Sequence, residues 1–213
     1  MTGVALHLVI HPETPQPRLL AQAAEIVRSG GVVVIPTDSC YALGCRLGDK
    51  TALDRIREIR RVDDRHHMTL MCRDLSEIGQ YARVDNAQYR FLKAATPGSY
   101  TFILEGTKEL PRRVLHPKRK TIGLRVPDHR VVRALLTELG EPLLTTTLHL
   151  PGDELPLTEG WEINDRLETF VDLILDGGYC GTEPTTVVDL TTSPPQLVRL
   201  GLGDPEPLGL LEA

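Results

Sequence analysis

No stretch of this chain is apolar over the length of a bilayer-spanning helix, and its N-terminus shows no basic region followed by a long apolar run. Both absences speak against a membrane protein and predict a cytoplasmic one. The four cysteines, Cys40, Cys45, Cys72 and Cys180, form no C-x-x-C pair. A zinc knuckle is therefore not expected, and buried free thiols in a reducing compartment are. There is no Walker A loop and no G-x-G-x-x-G fingerprint, so a bound nucleotide would be held without those devices. No spacing of His, Cys, Asp or Glu suggests a metal site. His66 and His67 are adjacent, and neighbours on a strand point to opposite faces. Internal repeats, low-complexity tracts and a nucleophile–His–Asp signature are also missing. The net charge of −5 argues against indiscriminate nucleic-acid binding.

What is present describes one globular domain. With 213 residues, 41% hydrophobic and 25% charged, the chain can bury a core without disulfides or metal. Strands are expected at Val4–Ile10, Gly31–Ile35, Met68–Cys72, Tyr100–Leu104, Thr121–Val126, Leu143–Leu150, Val171–Leu175, Thr185–Leu190 and Gln196–Leu200. Helices are expected at Arg18–Ser29, at Lys50–Arg60 with Asp49 as cap, after Asp74, after Asp85, from Asp128 to Gly140, and at Asn164–Phe170. Pro151–Gly160 reads as an acidic loop. Strands separated by helices predict an α/β or α+β domain with a single mixed sheet. That domain is expected to span residues 1–203, with 204–213 as a peripheral tail.

Polar motifs recur at strand ends. The run Val32–Ile35 stops at Pro36 and is followed by Thr37-Asp38-Ser39. These three side chains either grip a small polar molecule at the sheet's edge or form a turn that satisfies its own backbone. Thr96-Pro97-Gly98-Ser99-Tyr100-Thr101 offers a glycine and hydroxyls ahead of a strand, suited to phosphate oxygens or to an ordinary turn. Arg125 lies inside an apolar strand and needs an anionic partner, either a ligand or an internal carboxylate. Thr145, Thr147 and His149 alternate on one strand face. Basic residues cluster in two blocks, Arg55–Arg65 with His66 and His67, and Arg112–Arg130, while acid concentrates between Glu138 and Asp176.

These segments, in this order from about Pro17 to Gly203, resemble the YrdC-like family, the threonylcarbamoyl-adenylate synthases of tRNA modification. The details are similar to its YciO branch: Pro36-Thr37-Asp38-Ser39 with Tyr41-Ala42-Leu43-Gly44, Thr69–Leu75, Thr96–Phe102 and Lys118–Gly123. The resemblance implies a twisted α/β domain with a concave basic face. It implies a reaction of L-threonine, bicarbonate and ATP, with Mg2+ on the triphosphate, giving threonylcarbamoyl-AMP and pyrophosphate. By position, Thr37 would contact threonine and Arg125 its carboxylate. Arg60, Thr101, Thr145, Thr147, Thr185, Thr186 and Arg199 would line the nucleotide site. The family is also described as binding double-stranded RNA or tRNA, for which Arg61, Arg65, Arg112, Arg113, Lys118, Arg119 and Lys120 are the candidates here.

Two positions depart from the synthase pattern. Its Lys-x-Arg reads Arg60-Arg61-Val62, and its Ser-x-Asn reads Thr147-Leu148-His149. Losing one guanidinium removes a bidentate phosphate clamp. Three expectations therefore stand side by side: a synthase with weak or altered activity, an RNA-binding protein without catalysis, and an enzyme running the reverse or hydrolytic reaction on threonylcarbamoyl groups. In the last, His149 would be the general base, and Arg60 and His149 are the two catalytic candidates.

Overall fold

The computed structural model describes residues 3–210. It contains ten strands: β1 (Leu6–Val9), β2 (Val33–Ile35), β3 (Ala42–Arg46), β4 (Thr69–Met71), β5 (Tyr100–Glu105), β6 (Thr121–Arg125), β7 (Leu143–Thr147), β8 (Leu173–Asp176), β9 (Thr186–Asp189) and β10 (Gln196–Arg199). Six α-helices accompany them: α1 (Pro17–Arg28), α2 (Lys50–Arg60), α3 (Leu75–Tyr81), α4 (Asn86–Ala95), α5 (Arg130–Leu139) and α6 (Gly160–Leu167). All ten strands join one mixed sheet, ordered β1-β8-β2-β3-β7-β4-β6-β5-β9-β10. None of these helices is long and apolar enough to cross a membrane.

Helix starts follow the chemistry of their first residues. Asp49 accepts the Ala52 N–H at 2.9 Å, Asp74 the Glu77 N–H at 3.0 Å, and Asp85 forms a reciprocal capping box with Gln88. Asp128 does not cap α5. His129 occupies that position, with no side-chain cap bond. Helix α6 begins at Gly160 rather than Asn164, and only a glycine fits there, since a Cβ would stand 2.1 Å from the Asp176 carboxyl carbon. The Leu143–Leu150 strand is shorter than expected, since the chain leaves the sheet after Thr147. The strand β3 was not anticipated by the sequence reading.

The two faces of the sheet are covered differently, and this creates the site. Leu43, Leu70, Leu124, Phe102 and Val188 point to one face, where α2, α3, α4 and α6 bury them in the larger core. On the other face, Val33, Ile35, Ala42, Met71 and Leu143 form a second core with α1 and α5. That pair of helices reaches only part way across. Beyond it the face is open, and its floor is polar. The segment after Gly203, expected to be a peripheral tail, packs on the body instead: Leu208 and Leu210 lie against the larger core, and Tyr100 Oη donates to the Asp204 carbonyl at 2.8 Å. Residues 211–213 of the expected tail lie outside the described residues.

Candidate functional site

The strand register assembles the floor of the open half-face. Gly44 pairs with Thr145, Thr145 with Thr69, and Thr69 with Gly123. One step along, Met71 pairs with Arg125, and Thr101 pairs with Val187. Residues two apart on a strand share a face, so Thr69, Met71, Thr101, Gly123, Arg125, Thr145 and Thr147 share this floor. They line a cavity of about 830 Å3. Its walls come from the bend before β4 (Arg65, His66 and His67), from Arg60 at the end of α2, from Glu154, Leu155 and Pro156, and from Thr182, Pro184 and Thr185 with Arg199. Among the described residues Glu154 is the only acidic one lining it, against four arginines.

Most of the residues picked out in the sequence meet here. Arg60, Arg65, Thr101, Arg125, Thr145, Thr147, His149, Thr185 and Arg199 all line the cavity. Thr37 and Thr186 do not. Thr37 donates to the Cys40 carbonyl at 2.6 Å and accepts the Ser39 N–H at 3.1 Å, which is the self-satisfying turn. Thr186 is fully buried and donates to the Gly203 carbonyl at 2.5 Å. Arg61, Arg112, Arg113, Lys118, Arg119 and Lys120 are exposed and lie outside the lining. Arg113 is tied to the Gly48 carbonyl at 2.9 Å and Arg119 faces Asp189 at 3.6 Å.

Arg125 has an internal partner. Its guanidinium forms an ion pair with Asp38 and donates to Ser39 Oγ at 3.3 Å. Asp38 also accepts from Ser99 Oγ at 2.9 Å, so three motif segments converge on one carboxylate. Burial pulls the Arg125 pKa down and the Asp38 charge pushes it back up. Arg125 Nε is buried with no partner. Beside it, the Thr101 and Thr185 hydroxyls meet at 2.8 Å, and Arg199 holds the Thr185 carbonyl at 2.7 Å. At the opposite wall, Arg60 donates to the carbonyl of His149, joining the two motifs that depart from the synthase pattern. His149 Nε2 bonds the Asp153 carbonyl at 2.8 Å, which makes Nε2 the protonated nitrogen and Nδ1 the basic one.

His66 and His67 were expected to point apart on a strand. They precede β4 in a bend, so strand alternation does not apply, and both reach the cavity. In the sequence they belong to the basic block that begins at Arg55, and the structure brings the end of that block to the cavity. Thr69, Thr146 and Gly123 also escaped notice, because cross-strand register is not readable from one chain segment. All four cysteines are buried and free. Burial pushes Cys40 up to about 11 and Cys45 and Cys180 up to about 12, so none supplies a thiolate at neutral pH.

A family profile described as Sua5/yciO/yrdC, telomere recombination, matches residues 25–201. The chain is 59% identical over 198 residues to the uncharacterized protein YciO of Escherichia coli (strain K12), covering 93% of this chain and 96% of that one. The crystal structure of E. coli YciO superimposes with a TM-score of 0.92 at 57% identity, over 96% of this chain and 99% of that chain. The crystal structure of P. abyssi Sua5 complexed with L-threonine superimposes with a TM-score of 0.85 over 92% of this chain and 58% of that one. At 24% identity, this last likeness establishes a shared fold.

Proposed function

This chain belongs to the Sua5/YciO/YrdC family, and on that footing we propose that its cavity binds L-threonine and ATP. With bicarbonate, it condenses them to threonylcarbamoyl-AMP and pyrophosphate, the activated group used in tRNA modification. The observation that carries this reading is the convergence of four arginines and a row of threonine hydroxyls on one cavity with a single carboxylate. Such a lining suits a ligand with several negative charges and many acceptor oxygens.

The chemistry needs no protein nucleophile. The threonine amine takes up CO2 from bicarbonate to give a carbamate. A carbamate oxygen then attacks the α-phosphorus, the bond to the bridging oxygen breaks, and pyrophosphate leaves. The protein's work is alignment and charge neutralisation. Arg125, locked by Asp38 and Ser39, is the group for the threonine carboxylate, with its unpartnered Nε as the spare donor. Thr101, Thr145, Thr147 and Thr185 offer hydroxyls to the nucleotide. Mg2+ arrives on the triphosphate as part of the substrate; among the described residues no group of three His, Cys, Asp or Glu side chains could hold a metal ion.

Calorimetric titration with L-threonine tests the assignment. Threonine is expected to bind the native protein, and Arg125→Lys, which keeps a charge opposite Asp38 but loses the fork, is expected to weaken it at least about tenfold. Unchanged binding to the variant would remove Arg125 from the site.

A second reading has its own observation. The exposed basic residues of the segment 112–120 lie near the cavity, for the His116 ring stands 5.0 Å from that of His67 in the cavity wall. With Arg61 and Arg65 they could contact the phosphates of double-stranded RNA or tRNA. Affinity for tRNA should then fall linearly with the logarithm of salt concentration. Binding that is absent or insensitive to salt rejects this reading.

A further inference from the structure

The end of the cavity at α2 is unusually rich in groups that can carry positive charge. Arg60 and Arg65 line it together with His66 and His67. His66 Nε2 meets Thr146 Oγ1 at 3.0 Å, and its other ring nitrogen makes no bond to a described residue. The His67 ring makes no hydrogen bond to a described residue and packs at 5.0 Å against His116. Arg60 Nε is buried without a partner. Donor capacity is thus left over at this wall, and among the described residues Glu154 is the sole carboxylate in the cavity's lining.

The surroundings of the two rings are dominated by cations. His66 is faced by Arg60 and Arg57 of α2 and by His67, with Asp63 as the only opposing acid. His67 is faced by His116 and Arg119 of the Arg112–Lys120 loop, with Asp189 at the end of β9 as the opposing acid. Burial first, and these cations second, hold both rings below the ordinary histidine range, so they are neutral at pH 7 in the free protein. A multiply charged anion placed beside them reverses that balance, because it turns the charged form into the favoured one.

We propose that His66 and His67, with Arg60 and Arg65, form a polyphosphate subsite that takes up protons as its anion binds. The inference rests on the reading that a nucleotide occupies the cavity, and it names the end at which the β- and γ-phosphates lie. Two arginines plus two imidazolium rings match the charge of a pyrophosphate group better than that of a single phosphate. The same wall then holds the leaving group, and Val62, where a guanidinium was expected, is compensated by rings that charge on demand.

The test is calorimetric titration of the full chain with inorganic pyrophosphate, without Mg2+, between pH 5.5 and 8. Each pH is measured in two buffers of different ionisation enthalpy, which reports protons taken up. The comparison protein is the His66→Asn/His67→Asn double variant, for which the ligand's own ionisation is unchanged. His67→Gln, at an exposed position, serves as a second variant whose fold is least disturbed. The native protein is expected to take up about one more proton than the double variant near pH 7, and its affinity to rise about tenfold more than the variant's as the pH falls. His67→Gln should lose part of both effects. Equal proton uptake and equal pH dependence in all three proteins would overturn the subsite. If AMP still binds in that case, the nucleotide reading survives; if neither pyrophosphate nor AMP binds, both fall.

Discussion

Arg125 illustrates how far a single residue can be read. A guanidinium within Gly123-Leu124-Arg125-Val126 must find a negative partner when buried, and that requirement is legible in the sequence. The identity of the partner is not, because Asp38 is brought to it only by the β2–β3 turn. Removing the charge entirely should be worse than altering its shape. Arg125→Ala leaves the half-buried Asp38 without its cation, with the Ser99 hydroxyl as its remaining side-chain partner, and is expected to cost about 3 kcal/mol of stability, measured as a fall in the denaturant midpoint. Gly123 was not a sequence candidate. A Cβ there would stand 3.0 Å from Thr101 Cγ2 and 3.2 Å from Thr69 Oγ1. Gly123→Ala is therefore expected to crowd the floor, weakening nucleotide binding about tenfold while costing on the order of 1 kcal/mol of stability. Calorimetry and chemical denaturation separate the two effects. Loss of stability with intact binding would show that the floor is not the ligand's contact surface.

At the scale of the element, caps were the most legible feature. Asp49, Asp74 and Asp85 each begin a helix as expected, because a short side chain that accepts the free N–H groups is a local device. Asp85→Ala is expected to lower stability by about 1 kcal/mol and to leave ligand binding unchanged, since α4 lies on the covered face. Elements fixed by distant contacts were not legible. Strand β3 has little β-branched character, and its pairing with β2 and β7 decides it. At the start of helix α6 only a glycine fits, since the Asp176 carboxyl group sits where a side chain would be. The segment Pro151–Gly160 reads as an acidic loop in the sequence, yet it is anchored. Arg166 grips both oxygens of Asp153 at 2.8 and 3.0 Å, and His149 holds the Asp153 backbone. Asp153→Ala should loosen the wall carrying Glu154, Leu155 and Pro156. The expected result is weaker ATP binding with an unchanged thermal midpoint. A fall in that midpoint with normal ATP binding would assign the anchor to stability instead.

For the whole molecule, the alternation of strands and helices foretold a mixed-sheet α/β domain, and the ten-stranded sheet bears this out. What the alternation did not reveal is that α1 and α5 cover only part of one face. The open remainder turns scattered threonines and arginines into one cavity. Three histidines, two of them in the cavity wall, also set the molecule's pH response. His66, His67 and His129 are held below the ordinary histidine range, chiefly by burial. The unfolded chain therefore binds more protons than the folded one between the two sets of values. The stability these histidines leave intact should be fully present above about pH 7.5 and should fall as the pH drops to 6 through the ordinary histidine value of about 6.5. Denaturant midpoints over that range check this, and a flat or rising profile would contradict it.

The cavity's proposed role meets its most direct test in the complete reaction. The purified chain is incubated with ATP, Mg2+, bicarbonate and L-threonine, while pyrophosphate release and threonylcarbamoyl-AMP are followed together. The expected result is equimolar formation of both products, abolished when any one of ATP, bicarbonate or threonine is omitted and reduced in Arg125→Lys. Folded protein that forms neither product, or that releases pyrophosphate without threonine, would contradict the assignment of this cavity to threonylcarbamoyl-AMP synthesis.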